Sequence, residues 1–206
     1  MAAAGKVITG FSSPYVAKYS ASGGTVTYSD GMRLARGVSV SINPEVGDAN
    51  PFYADNVEAE TVPGVFTGGT ADLVVDGLLN TAEAFVYGLP EPESLSYGES
   101  KTVEVYSYGE GMEIPYVGIG FVIRFMSGGV TTYAPMLLTK TRFQTPNTEA
   151  ATQEESIEWQ TQTLTADLMR DDSADRAWKK IAADQATEAE AEEIVKAMLN
   201  ITEGAG

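Results

Sequence analysis

The sequence predicts a mainly β protein: a sandwich-like or barrel-like antiparallel sheet with one short packed helix and C-terminal α-helices. Three observations predict it. Apolar and polar residues alternate with period 2 in several segments of the first 165 residues, the 21 glycines fit many turns, and after about Asp167 Ala, Glu and Lys replace β-branched residues. The 206 residues suffice for one domain with a sizeable core, and 43% hydrophobic with 20% charged residues is the balance of a globular chain.

Gly37-Val38-Ser39-Val40-Ser41-Ile42 alternates strictly and reads as a strand with one buried face, ended by Asn43-Pro44. Asn43 to Pro51, with two prolines and a glycine, reads as a loop. A two-turn helix follows at Asn80: Asn80 caps it with Glu83 as capping-box partner, Ala82, Phe85 and Val86 form its apolar face, and Gly88 with Pro90 stops it. Leu89 to Glu99, with Pro90 and Pro92, reads as a second loop. Lys101 to Tyr108 reads as a strand with Val103 and Val105 on one face and Thr102, Glu104 and Tyr106 on the other.

Ile114 to Met126 is richer in apolar residues, which predicts a strand covered on both faces, and Tyr133 to Phe143 is its hairpin partner across Ser127-Gly128-Gly129. Gln144 to Glu155 is polar, contains Pro146 and reads as a loop. Ser156 to Leu164 reads as a strand, with Ile157 and Trp159 facing oppositely to Glu158 and Gln160. Asp171 to Gln185 and Thr187 to Asn200 read as two helices. The second is capped by Thr187 with Glu190, is acidic at its positive N-terminal end, and carries an Ala191, Ile194, Val195, Met198 stripe. The expected division is a β domain over 1–170 and a helical appendage over 171–206, serving as outer decoration, as a clasp between assembled units, or as a packing element.

Residue types exclude whole classes of chemistry. There is no cysteine and no histidine, so disulfides, thiolate nucleophiles, Ser-His-Asp triads and histidine or cysteine zinc sites are ruled out. The 29 acids make chance carboxylate pairs inevitable, so such pairs point to no glycosidase. Asp171, Asp172 and Asp175 lack the spacing of a calcium loop and read as a helix N-cap, and Gly68-Gly69-Thr70 reads as a tight turn, without the lysine of a phosphate loop. Trp159 and Trp178 read as core or interface anchors. No catalytic, metal or cofactor site is predicted.

Met1 to Tyr15 lacks the apolar run of a signal peptide, and Val117 to Met126, interrupted by Arg124, is too short for a membrane helix; a soluble, unexported protein is expected. The net charge of −16 disfavours nucleic-acid binding, which needs basic residues against phosphates. Charge by itself favours the plain reading, an acidic balance that serves solubility.

Five blocks in fixed order carry a resemblance: Tyr15-Val16-Ala17, Phe52-Tyr53-Ala54-Asp55-Asn56, Ile114-Pro115-Tyr116-Val117-Gly118-Ile119-Gly120-Phe121, Lys140-Thr141-Arg142-Phe143 and Glu154-Glu155-Ser156-Ile157-Glu158-Trp159-Gln160-Thr161. Over about residues 10–165 the chain resembles the major tail protein family of long-tailed bacteriophages. The resemblance implies a structural, non-enzymatic virion protein. It would be assembled in the host cytoplasm into hexameric rings that stack as the tail tube around a tape measure protein, between tail terminator and distal tail proteins. DNA would pass through the lumen without specific binding. It further implies Glu58, Glu60 and Glu104 as candidate lumen-facing acids, and Phe52 and Tyr53 as apolar anchors of an arm within Asn43–Val62 that crosses to a neighbouring subunit or ring. The tube protein of contractile or type VI secretion-like systems is the nearest alternative, and a secreted carbohydrate- or calcium-binding β-sandwich a more distant one.

Overall fold

A computed structural model describes residues 5–148, 152 and 159–202. They form, in order, β1 (Val7–Ser22), β2 (Thr25–Arg33), β3 (Gly37–Val46), β4 (Asn50–Ala54), β5 (Val57–Val62), β6 (Phe66–Val75), α1 (Asn80–Tyr87), β7 (Glu93–Tyr97), β8 (Lys101–Val105), β9 (Val117–Ser127), β10 (Val130–Phe143), β11 (Gln162–Met169), β12 (Lys179–Ile181) and α2 (Glu188–Met198). The protein is mainly β. One antiparallel eight-stranded sheet has the order β2-β1-β9-β10-β11-β6-β3, with β12 on the side of β10; β4-β5 and β7-β8 are separate two-stranded ribbons.

Strand β9 shows how the layers arise. Its odd residues Val117, Ile119, Phe121 and Ile123 enter the main core, where they meet Leu164, Ala166 and Leu168 of β11 and Ala71, Leu73 and Val75 of β6. Its even residues Gly118, Gly120 and Val122 turn the other way and lie under α2, whose Ala191 and Val195, with Leu199 just beyond, are buried there. Strict alternation of a fully covered strand thus builds two cores on its two faces. The glycines set the spacing: a Cβ on Gly120 would lie 2.6 Å from a Val195 methyl, and one on Gly118 2.5 Å from the Tyr28 ring. The predicted β9–β10 hairpin is present, turning through Gly128 and Gly129 at φ 57° and 83°.

Helix α1 adds Val86 and Tyr87 to the main core and ends at Gly88 in the left-handed conformation, as expected. Its start differs from expectation: Leu79 is the N-cap residue and no side chain caps the helix, so Asn80 is already helical. Packing carries this short helix. Helix α2 starts as its sequence indicates, with the Thr187 side chain accepting from the Glu190 amide.

Other expectations are corrected. Asn43-Pro44 does not end β3, which runs to Val46 with Pro44 opposite Gly69; as an edge strand β3 has a side on which the missing amide hydrogen costs nothing. A bulge between Gly37 and Ser39 breaks the alternation, so Val38 is exposed while Val40 and Ile42 pack inward. Part of the loop expected over Asn43–Pro51 is therefore strand, and β7 lies inside the loop expected over Leu89–Glu99. Residues 144–148 have no regular structure, as expected. Strand β11 starts at Gln162, leaving Trp159 87% exposed; Ser156, Ile157 and Glu158 lie outside the described residues.

No helix forms over Asp171–Gln185. Asp171 accepts from the Ser173 amide and hydroxyl in a local turn instead of capping a helix, and β12 pairs with β10. Trp178 stacks on Phe66 at 4.9 Å between centroids. Residues 171–202 thus contribute a strand and a covering helix to the same sheet, and the expected division after residue 170 runs through this packing.

Candidate assembly surfaces

Three of the five sequence blocks converge. Val16 pairs with Ile119 and Ala17 with Gly118 across β1–β9, Thr141 pairs with Val117 across β10–β9, and the Tyr19 amide donates to the Tyr116 carbonyl at 2.8 Å. The Tyr116 ring sits against Lys140 and Arg142, with cation-to-centroid distances of 4.9 and 5.9 Å. The block at Phe52–Asn56 stands apart in the β4–β5 ribbon, and Glu154–Glu158 lie outside the described residues.

The β4–β5 ribbon prolongs the β3–β6 pair. The Gly47 amide donates to the Val65 carbonyl at 2.9 Å, carrying the ladder past the end of β3. Its tip is the two-residue turn Asp55-Asn56, with φ 50° and 63°, left-handed values that Asp and Asn tolerate better than most residues. Every residue of both strands is exposed. Phe52 and Tyr53, 62% and 60% exposed, fill no core of this chain.

A bulge decides which side chains share a face. Phe52 lies opposite Glu60 and Tyr53 opposite Glu58, with Ala59 as the extra residue. Phe52 and Tyr53 are adjacent and point oppositely, so Glu58 and Glu60, which alternation alone would place together, lie on opposite faces. The Thr61 hydroxyl donates to Glu58, in keeping with this. One face thus carries Asn50, Phe52, Ala54, Val57, Val62 and a single acid, Glu60; the other carries Pro51, Tyr53, Glu58 and Thr61.

Glu104 belongs to a different ribbon. It lies opposite Ser94 in β7–β8 and accepts from Tyr106 at 3.4 Å. On the other face Leu95 is opposite Val103, with Tyr97 and Val105 alongside, all exposed. The three candidate lumen acids therefore do not form one cluster. The sheet itself ends on β2 and β3, each hydrogen-bonded on one side.

Charge is distributed unevenly. Residues 37 to 100 hold eleven acids and no lysine or arginine, and both ribbons except Lys101 and the strand β8 that it opens fall inside this stretch. Elsewhere five of the thirteen lysines and arginines are held in ion pairs among the described residues, among them Lys6 to Asp184 at 2.5 Å, Lys18 to Asp30 at 3.2 Å and Lys140 to Asp172 at 2.7 Å. Asp172, which also accepts from Tyr19, and Asp184, which also accepts from Thr132, are held below the usual carboxylate range by these hydrogen bonds. Among the described residues no three His, Cys, Asp or Glu side chains converge to hold a metal ion. What the surface offers instead is unpaired strand edges and exposed apolar ribbon faces, the means by which chains add to one another. No family model matches the chain, and neither does any of the curated proteins compared with it.

Proposed function

We propose that the chain is a structural subunit of the tail tube of a long-tailed bacteriophage. Hexameric rings of it stack around a tape measure protein, bounded by tail terminator and distal tail proteins, in a virion assembled in the host cytoplasm, and the genome leaves through the lumen. The observation that carries this reading is the pair of exposed two-stranded ribbons. Their exposed apolar faces, with a sheet open at β2 and β3, suit a chain completed by copies of itself. The convergence of Tyr15-Val16-Ala17, Ile114–Phe121 and Lys140–Phe143 in β1-β9-β10 supports it further, because three of the five blocks that carry the resemblance form one structural unit. A base-free stretch of 64 residues, 37 to 100, suits a surface past which DNA slides. In this role the chain performs no catalysis and needs no cofactor.

The test is assembly. Concentrated purified protein is expected to give hexameric rings or hollow tubes by negative-stain electron microscopy, with matching heavy species in analytical ultracentrifugation. A protein that stays monomeric at high concentration and forms no tubes inside phage-producing cells overturns the reading.

A further inference from the structure

A groove of about 500 Å³ lies between β2, β12 and the end of α2, lined by Val26, Tyr28, Leu137, Met198, Asn200 and Lys180 among others. Leu137 is buried at its base and Lys180 is its one charged residue. Lys180 is exposed, opposite Leu137 in the β10–β12 pair, and forms no ion pair among the described residues. The arm face built from Asn50, Phe52, Val57, Val62 and Glu60 has the complementary composition: mainly apolar, with one acid that is likewise without an ion pair among the described residues. We propose that the Phe52–Glu60 face of the β4–β5 arm docks in the β2–β12–α2 groove of a second copy of this chain, with Glu60 paired to Lys180.

Charge selects this occupant. The arm from residue 43 to 65 holds Glu45, Asp48, Asp55, Glu58 and Glu60 and no base, so a cationic, apolar recess attracts it and an acidic one repels it. Arm and groove are different surfaces, so the contact is head-to-tail, the kind that closes into rings or propagates as a filament. The inference rests on the self-assembly reading and specifies its contact. It also assigns Glu60 to a contact between copies rather than to the wall of the conduit.

Because the chain has no cysteine, introduced thiols report contacts cleanly. A mixture of the full-length variants Glu60→Cys and Lys180→Cys, concentrated under mild oxidation, is expected to give a covalent dimer, and the double variant a ladder of higher species. Each single variant alone gives neither. In parallel, Lys180→Glu or Glu60→Lys raises the concentration needed for assembly about tenfold or more, and the two reversals combined restore it. Wild-type tubes without cross-links, or two reversals that do not rescue each other, overturn the docking site and leave the tube reading standing. Wild-type protein that neither assembles nor cross-links overturns both.

Discussion

Tyr15 on β1 donates its phenol hydrogen to Glu192 on α2 at 2.5 Å, and Ser13 donates to the other carboxylate oxygen at 2.9 Å. Lys196 closes the group, 3.8 Å from Glu192 and with its ammonium 5.9 Å from the Tyr15 ring centroid. Burial and the Glu192 hydrogen bond push the Tyr15 phenol up to about 12. Burial opposes ionisation of Glu192, but the hydrogen bonds from Tyr15 and Ser13, with Arg33 and Lys196 nearby, outweigh it and hold the carboxyl below its ordinary value.

The first prediction is acid sensitivity of this contact. A carboxyl held low in the folded state contributes stability that is present above its unfolded pKa, about 4.3, and lost as pH falls through the lower folded value. Glu192→Gln is therefore expected to cost about 1–3 kcal/mol at pH 7 and progressively less below pH 4, measured by urea melts across that range. Equal losses at pH 7 and pH 3 would disprove the charge-assisted role.

Helix α2 is expected to be indispensable. Leu199→Ala removes a fully buried side chain between α2 and β9 and should cost about 2–5 kcal/mol. Truncation after Arg170 uncovers Tyr15, Ala17, Val122 and Leu137 together and should give insoluble protein. A soluble truncated chain with a cooperative thermal melt would show that the sheet stands without its cover.

Gly120→Val tests the spacing under that helix. The new side chain meets Val195 and Leu199 well inside contact distance, so the helix must lift or the strand bend, at about 1–3 kcal/mol or more. Gly128→Ala, in open space but at φ 57°, costs through backbone strain alone, about 1–2 kcal/mol. Thermal melts of the pair are expected to rank Gly120→Val as the more damaging, and the reverse order would contradict the packing described.

Excision of 48–63 removes the arm without touching the buried core. The shortened chain should fold with an unchanged melt and remain monomeric where the full chain assembles. Tubes of normal stability from the shortened protein would exclude the arm from assembly.

Charge reversal probes the conduit separately. Glu58→Lys and Glu104→Lys sit on exposed ribbon faces with little packing to lose. If either faces the lumen, virions should assemble normally and eject their genome more slowly; unchanged ejection with both reversed would place these acids elsewhere.

Where the sequence was legible, local pattern and tertiary outcome agreed. The run from Val117 to Ile123 read as a doubly covered strand because both faces do meet cores, and Thr187 with Glu190 announced α2 because capping is a local interaction. Elsewhere distant partners decided. Lys179–Ile181 became a strand because β10 had an edge to fill, overriding the helical propensity of Ala and Lys around it. The bulges at Val38 and Ala59 left no composition signal, and the second is what separates Glu58 from Glu60. Lys180 acquired its groove only when β2, β12 and α2 came together.

The absence of lysine and arginine between residues 37 and 100 also governs how this protein meets a protease. Trypsin cleaves after those residues, so the β4–β5 arm, otherwise among the most accessible backbone in the molecule, presents it with no bond to cut, and digestion of the unfolded chain releases Gly37 to Lys101 as one long peptide. A glutamate-specific protease sees the opposite landscape, with Glu45, Glu58 and Glu60 on the arm. Protection of those three bonds on assembly, against a tryptic pattern that leaves this segment intact throughout, gives a direct footprint of where one copy covers another.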